Sequence, residues 1–161
     1  EKDIPDENVM PFDEDDLEDL YDQLEEEFID DVADKKKPSN KLIIFDDVAY
    51  SGGLKNKTAG VISKIVMNGR HANISSIFTT QKFSLVQTGV RSNVTGAILF
   101  NTSQKELELM SDDYNYLENK KEFIKIFRKT TEKKNSFMVV NFTNDKPDMY
   151  MDSEFKPIQM N

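Results

Sequence analysis

The sequence lacks cysteine altogether and contains a single histidine. The absence of cysteine excludes disulfide bonds and thiolate chemistry, and one histidine argues against a histidine-based metal site. No run of about 18 consecutive apolar residues occurs, so we expect no membrane span and no membrane partner. The chain also begins without an initiator methionine or a signal peptide, which predicts that it is part of a longer protein.

Acidic residues are concentrated at one end of the chain. The net charge of −9 argues at first against a nucleic-acid partner, since such proteins normally present a basic surface. However, residues 1–34 contain 17 of the 30 acidic residues and only one lysine, so residues 35–161 are net positive. A length of 161 residues fits one domain with a solvated appendage. We therefore predict an acidic lead-in and helix over residues 1–39 and a globular domain over residues 40–161.

Residues 42–47 have the sequence LIIFDD, in which four consecutive apolar side chains precede two carboxylates. Such a run predicts a strand buried on both faces, in the centre of a parallel α/β sheet. Ligands bind at the carboxyl ends of such strands, where Asp46 and Asp47 lie. One carboxylate there can hold Mg²⁺ through its water shell, and its neighbour can orient or deprotonate a water that attacks a γ-phosphate. This is the Walker B arrangement of P-loop NTPases; the alternative is a buried strand that leads into an acidic turn.

The rest of the chain predicts alternating helices and strands. Apolar periodicity and capping signals, including a capping box of Ser103 and Glu106, predict helices at residues 13–34, 55–67, 103–118 and 119–130. Apolar runs predict strands at residues 74–80 and 96–101 and a terminal hairpin within residues 136–152. The alternation predicts an α/β fold, with a mostly parallel sheet and flanking helices.

Three further polar residues are candidates for a nucleotide site. Gln81 ends the strand predicted at residues 74–80, which would lie beside the strand at residues 42–47. An amide there can hydrogen-bond a γ-phosphate and the attacking water, although a strand-terminal glutamine can equally satisfy loop backbone. Arg70 and Arg91 could each neutralise a transferring phosphoryl group, although lone arginines mostly lie on surfaces.

The phosphate-binding loop of a P-loop enzyme is missing from the sequence. No segment matches G-x-x-x-x-G-K-[ST], and residues 52–58, GGLKNKT, have no glycine before the Lys-Thr pair. We interpret this segment as a mildly basic loop, in which Lys55 and Lys57 are candidates for contact with a polyanion.

Three segments taken in order carry a resemblance to a known family. They are LIIFDD at residues 42–47, NGRHANISSIFTTQKF at residues 68–83 and VRSNVTGAILF at residues 90–100. This series closely resembles the FtsK/HerA superfamily, and most closely the genome-packaging ATPases of poxviruses, other large DNA viruses and virophages. The ordered series is far more specific than any one of its parts.

The resemblance assigns roles to individual residues. Asp46 matches the Walker B residue that holds Mg²⁺, and Asp47 matches the catalytic carboxylate, which is often Glu in relatives. Because Asp is shorter than Glu, Asp47 could act as the base or could only orient the water. Gln81 matches the strand-end sensor. Arg70 and Arg91 match arginines of which one can act across a subunit interface as a finger. ATP and Mg²⁺ are the cofactors that the resemblance implies.

The implied fold is a RecA-like P-loop NTPase core that is incomplete at its N-terminal side. We expect the strand and loop that bind the phosphates to lie upstream of Glu1, so the chain alone should hydrolyse little ATP. The implied function is the C-terminal part of a viral motor that couples ATP hydrolysis to translocation of double-stranded DNA into a capsid.

The implied partners are double-stranded DNA, further copies in a hexameric or pentameric ring, and a capsid vertex component. We expect phosphate contacts without base readout, from Lys55 and Lys57 or from the basic segment at residues 120–134, which includes Lys133 and Lys134. The implied location is the host cytoplasm or a viral factory, with the virion as a further possibility.

Two other functions remain open at this point. The chain could belong to a cellular HerA-like DNA translocase, which differs mainly in appended domains. It could also be a noncatalytic assembly or regulatory module, with the acidic helix at residues 13–34 docking on the basic surface of a partner.

Overall fold

The computed structural model describes residues 4–47 and 58–159. They form two compact units, of which the first ends at Gln81 and the second begins at Lys82. Within these ranges, no helix combines the length and the apolar character needed to cross a membrane. Lys55 and Lys57, and the start of the helix predicted at residues 55–67, lie outside the described residues.

The first unit alternates helix and strand. Its elements are α1 (Glu14–Ala33), β1 (Lys41–Asp46), α2 (Thr58–Asn68) and β2 (Ile74–Thr79). The predicted acidic helix is confirmed, and it begins where Asp13 accepts hydrogen bonds from the backbone N–H groups of Asp15 and Asp16. Three acidic residues in its first turn also interact favourably with the positive end of the helix dipole.

Helix α1 contacts α2 through its N-terminal half. Leu17 and Tyr21 are buried, and the ammonium of Lys64 on α2 lies 4.8 Å from the centre of the Tyr21 ring. Lys64 also forms an ion pair with Asp22, with 2.8 Å between Nζ and Oδ1. Val32, in the last turn of the helix, is an apolar residue of the predicted periodic pattern and is 53% exposed. Periodicity alone does not show how much of a helix is covered.

Strands β1 and β2 form a parallel pair, which confirms the predicted parallel sheet. The prediction that β1 is buried on both faces is wrong. Leu42 and Ile44 are 55% and 53% exposed, and Ile77, opposite Ile44 on β2, is 48% exposed. Phe45 points to the other face and is buried, stacked on Phe78. Among the described residues of this unit, the two-stranded sheet is therefore well covered on one face only.

The described residues of the second unit form three α-helices and a three-stranded sheet. Its elements are α3 (Thr88–Arg91), β3 (Gly96–Phe100), α4 (Gln104–Tyr114), α5 (Lys120–Thr130), β4 (Phe137–Asn141) and β5 (Tyr150–Met151). The sheet order is β3-β4-β5, and both pairings are antiparallel. The predicted terminal hairpin of β4 and β5 is confirmed. The alternation of elements did not predict that β3 pairs with β4 in the antiparallel sense, since that pairing depends on contacts distant in sequence.

The core of the second unit lies between this sheet and the two long helices. Its most deeply buried apolar side chains are Leu107, Phe123, Phe127, Met138, Val140 and Tyr150. Helix α5 contributes two of them through positions four residues apart, which places both on one face of the helix. The opposite face is left for lysine and arginine.

The capping box predicted for α4 is only half formed. The Ser103 hydroxyl accepts from the backbone N–H of Glu106 at 3.4 Å, as predicted. The Glu106 side chain does not return to Ser103. Its carboxylate instead accepts from the backbone N–H and the hydroxyl of Ser84, at 2.8 and 2.7 Å. The helix also ends at Tyr114 rather than near residue 118, because Asn115 adopts an extended conformation.

Candidate active site at the ends of two parallel strands

The register of the parallel pair brings the polar ends of β1 and β2 together. Asp46, the last residue of β1, is paired with Thr79, the last residue of β2. The Thr79 hydroxyl donates a hydrogen bond to Asp46 Oδ1 at 2.5 Å and accepts one from the backbone N–H of Asp47 at 3.1 Å. One hydroxyl therefore contacts both residues of the Asp-Asp pair.

Gln81 completes this group of side chains. Its Nε2 atom donates to Asp47 Oδ2 at 3.1 Å. The structure thus brings together Asp46, Asp47 and Gln81, which were all predicted as site residues, and adds Thr79, which was not. Thr79 could have been predicted only from the pairing register of β1 and β2, because a residue opposite the first aspartate can reach its carboxylate.

The backbone of Asp47 explains why a short acid suits this position. Its φ is +50°, in the left-handed region that most side chains avoid. Asp and Asn adopt this region several-fold more readily than other non-glycine residues, because a short polar side chain can hydrogen-bond locally. The strand ends with a sharp change of direction that orients the carboxylate toward Gln81. A longer glutamate would fit this backbone less well.

The two carboxylates are a chemically suitable set for Mg²⁺ with a nucleotide. No cluster of three or more His, Cys, Asp or Glu side chains that could hold a metal occurs in the described ranges. Mg²⁺ in nucleotide sites, however, takes one or two carboxylates and completes its coordination with water and phosphate oxygens. Asp47 Oδ1 is buried and has no hydrogen-bond partner among the described residues. A buried acceptor of this kind calls for a donor such as water.

Arg70 lies in a tight turn, Gly69–Ala72, between α2 and β2, and its side chain is exposed. The turn packs closely at Gly69, where a Cβ would lie 3.2 Å from the Ile74 carbonyl oxygen and 3.3 Å from its Cβ. Asn73 ends the turn with a φ of +57°. Arg70 is therefore presented to solvent by a closely packed segment.

Arg91 has a contrasting environment in the second unit. It is 9% exposed, and its Nε lies 3.1 Å from Asp113 Oδ2 as an ion pair without hydrogen-bond geometry. Its Nη2 donates to the Thr88 hydroxyl at 3.1 Å, and its guanidinium lies 4.9 Å from the centre of the Phe83 ring. The Tyr114 hydroxyl donates to its backbone carbonyl at 3.3 Å. These contacts are those of an arginine that holds its own unit together.

Positive side chains cover the outer face of α5 and the turn that follows it. The exposed residues are Lys121, Lys125, Lys129, Lys133 and Lys134. None of these five forms an ion pair with another described residue, whereas Lys120 pairs with Asp112 and Arg128 bonds to Gln104. The predicted DNA-contact candidates Lys133 and Lys134 thus belong to a larger basic face.

Comparison with known families identifies a match over most of the chain. The sequence model of the family described as "Poxvirus A32 protein" matches residues 14–154, a range that includes α1 as well as both sheets. Among curated proteins, none matches this sequence at a significant level.

Several solved structures share this fold. The genome packaging NTPase B204 from Sulfolobus turreted icosahedral virus 2, in complex with AMPPCP, is 19% identical with a TM-score of 0.61, over 92% of this chain and 63% of that chain. Its complex with ATP-gammaS is 20% identical with a TM-score of 0.60, over 90% and 62%. The DNA-packaging ATPase B204 from Sulfolobus Turreted Icosahedral Virus is 21% identical with a TM-score of 0.53, over 73% and 52%. The chain spans less than two thirds of the length of each, and the likeness confirms the predicted fold class.

Proposed function

The chain belongs to the poxvirus A32 protein family, and from this premise we propose that it is part of a viral DNA-packaging ATPase. The observation that carries the proposal is the network of Asp46, Asp47, Thr79 and Gln81 at the carboxyl ends of two parallel strands. Ligands bind at such strand ends in α/β folds. Support also comes from B204, which has this fold and whose structures contain AMPPCP and ATP-gammaS.

The proposed chemistry is positioning and proton acceptance by the two carboxylates. Asp46 would hold Mg²⁺, and the ion would supply charge neutralisation at the phosphates. Asp47 accepts a hydrogen bond from the attacking water and either takes its proton or orients it. Gln81 holds the Asp47 carboxylate through one N–H. The amide has a second N–H and a carbonyl oxygen that can bond the γ-phosphate and the water.

For the arginine acting in trans we propose Arg70 rather than Arg91. A finger must leave its own subunit's surface and neutralise charge in a neighbouring site. The exposed side chain of Arg70 meets this requirement. Arg91 is a weaker candidate, because its guanidinium is committed to Asp113, Thr88 and Phe83.

The proposed substrate is double-stranded DNA, bound through its phosphates without sequence preference. Support comes from the basic face of α5 and the following Lys133 and Lys134. Lys55 and Lys57 stay proposed contacts. We further propose a ring of identical subunits, hexameric or pentameric, that docks on a capsid vertex in the infected host cell.

The two alternatives are less well supported. A cellular HerA-like translocase would share the site, but the family that matches is a poxvirus family. A docking module would need a free acidic helix. Acidic residues of α1 instead form ion pairs inside the first unit, Asp22 with Lys64 and Glu27 with Lys41.

A translocation assay on the full-length viral protein tests the proposal. A short third strand is annealed to one end of a long DNA duplex, and its displacement is followed by fluorescence. We expect displacement with ATP and Mg²⁺, none with a non-hydrolysable analogue, and equal rates on duplexes of unrelated sequence. ATP-independent displacement, or none by a protein that binds both ATP and DNA, would contradict the packaging function.

A further inference from the structure

Thr79, at the end of β2, is hydrogen-bonded to both aspartates at the end of β1. Its hydroxyl acts as donor to the Asp46 carboxylate and as acceptor from the Asp47 backbone N–H. We propose that Thr79 is a positioning residue of the ATPase site, which sets the orientation of the Asp46 carboxylate and of the Asp47 backbone together. The proposal rests on the proposed function and assigns a role to a residue that the resemblance leaves without one.

The bond to Asp46 restricts how that carboxylate can rotate. A carboxylate at a strand end can otherwise turn freely about its last torsion, which is broad and has no strong preference. The 2.5 Å bond holds Oδ1 against β2, so Oδ2 is the oxygen left to face a ligand. Outer contacts that orient a metal-binding carboxylate in this way commonly determine metal affinity and activity.

The bond to Asp47 supports its unusual backbone. The regular pairing of the strands ends at Asp46 and Thr79, so the N–H of Asp47 lies beyond the ladder. The Thr79 hydroxyl is the acceptor for this N–H, at the residue whose φ is +50°. The Thr79 hydroxyl oxygen therefore bonds to the side chain of Asp46 and to the backbone of Asp47.

Only a hydroxyl can serve both functions at once. A hydroxyl offers one hydrogen and two lone pairs, and the observed pair of bonds needs a donor and an acceptor on the same atom. Valine has nearly the same shape as threonine but offers neither. Serine keeps the hydroxyl and loses only the methyl group. The two substitutions Thr79→Val and Thr79→Ser therefore separate hydrogen bonding from side-chain shape.

The surface position of Thr79 allows the two variants to be compared without a change in the packing of the core. Thr79 is exposed on β2, so neither substitution opens a cavity in the core. Valine also has a high strand propensity, so the strand itself should persist. Thermal unfolding of both variants is expected to stay close to that of the wild type.

The first measurement needs no nucleotide. Hydrogen exchange of the Asp47 amide, followed by NMR, should be faster in Thr79→Val than in the wild type, because the amide has lost its acceptor. Thr79→Ser should exchange at nearly the wild-type rate. If the Asp47 amide exchanges equally in all three proteins, Thr79 does not hold it and the inference is wrong, whatever the ATPase proves to do.

The second measurement uses the full-length protein with Mn²⁺ in place of Mg²⁺. Electron paramagnetic resonance reports Mn²⁺ binding in the presence of a non-hydrolysable ATP analogue, and steady-state assays give kcat and KM. We expect Thr79→Val to weaken Mn²⁺ binding and lower kcat by about 10-fold or more. KM for ATP should change by less than about two-fold, since Thr79 bonds to the two aspartates and is not itself proposed to contact the nucleotide. Thr79→Ser should behave like the wild type.

Two results would overturn the inference while leaving the proposed function intact. One is Thr79→Val with wild-type kcat and Mn²⁺ binding. The other is an equal loss in Thr79→Val and Thr79→Ser, which would implicate the methyl group. Failure of the proposed function looks different, because the wild-type protein itself would then neither bind Mn²⁺ with the ATP analogue nor hydrolyse ATP.

Discussion

The carboxylate of Glu106 accepts two hydrogen bonds from Ser84, one from its backbone N–H and one from its hydroxyl. Glu106 is 8% exposed on helix α4, and Ser84 lies in the turn Phe83–Leu85. Burial alone would raise the pKa of Glu106, but the two bonds from Ser84, together with the charges of Lys82 and Lys105, outweigh it and the pKa is lowered. The charged form of Glu106 therefore stabilises the contact between this turn and helix α4.

A pH-dependent loss of stability follows from this pair. Because the pKa of Glu106 is lower in the folded than in the unfolded protein, its contribution to stability is present above the unfolded value, ordinarily near 4.3, and is lost as pH falls through the folded value. Glu106→Gln should reduce the free energy of unfolding at pH 7 by about 1–3 kcal/mol. Denaturant unfolding at pH 7 and at pH 3 measures this, and the deficit should shrink at the lower pH.

Glu108→Gln is the matched control for this prediction. Glu108 lies on the same helix but is exposed, and its carboxylate accepts a hydrogen bond from the Gln104 amide on its own helix. Its replacement should change the unfolding free energy by less than about 0.5 kcal/mol. Equal effects of the two substitutions would show that the Ser84 contact adds nothing to the free energy of unfolding beyond what an exposed glutamate contributes.

The two arginines should differ in their effect on stability. Arg91→Ala leaves Asp113 without its ion-pair partner and removes the guanidinium from the Phe83 ring, so we expect a loss of about 3 kcal/mol or more. Arg70→Ala removes an exposed side chain and should cost less than about 0.5 kcal/mol. Thermal unfolding of the two variants compares them directly. A stable Arg91→Ala protein would mean that the buried ion pair contributes no net stability.

A subunit-mixing experiment identifies the arginine finger. Asp47→Asn and Arg70→Ala subunits should each be inactive alone, but mixed rings contain interfaces in which an intact Arg70 meets an intact Asp47. ATPase activity should therefore recover on mixing. The corresponding mixture with Arg91→Ala serves as the comparison. Recovery only in the Arg91 mixture would reverse the assignment, and no recovery in either would place both arginines within their own subunit.

Salt dependence of DNA binding tests the basic face. Each phosphate contact releases counterions, so removing one true contact should lower the slope of log affinity against log salt by about one unit, equally on unrelated sequences. We expect Lys133→Ala with Lys134→Ala to lower the slope in the assembled full-length motor. Lys55→Ala with Lys57→Ala tests the other predicted pair. Lys36→Ala with Lys37→Ala, an exposed pair just after the acidic helix, is the charge-matched control.

Local sequence patterns predicted much of the fold. The run before Asp46, the periodicity of α1 and the Ser103 cap each depend on residues close together in the chain, and the structure contains all three elements. Burial was harder to predict. A run of apolar residues indicates a strand, but it does not indicate whether anything covers both faces, and Leu42 and Ile44 are largely exposed.

The parts of the site that were missed depend on pairing between distant segments. Thr79 joined the site only through the register that sets it opposite Asp46. The burial of Arg91 depends on Asp113, which belongs to a different helix. Gln81, by contrast, was predictable because the end of a strand is visible in the sequence and its carboxyl-end position follows from parallel pairing.

The measurement that tests the central claim most directly is the effect of Asp47→Asn in the full-length protein. Asparagine tolerates the left-handed backbone at this position and can still bond to Gln81, but it can neither accept the proton nor carry the charge. Fluorescent ATP-analogue binding should therefore stay within about two-fold of wild type, while steady-state hydrolysis should fall by at least about 100-fold. Unchanged hydrolysis with normal binding would contradict the assignment of this site as the ATPase centre.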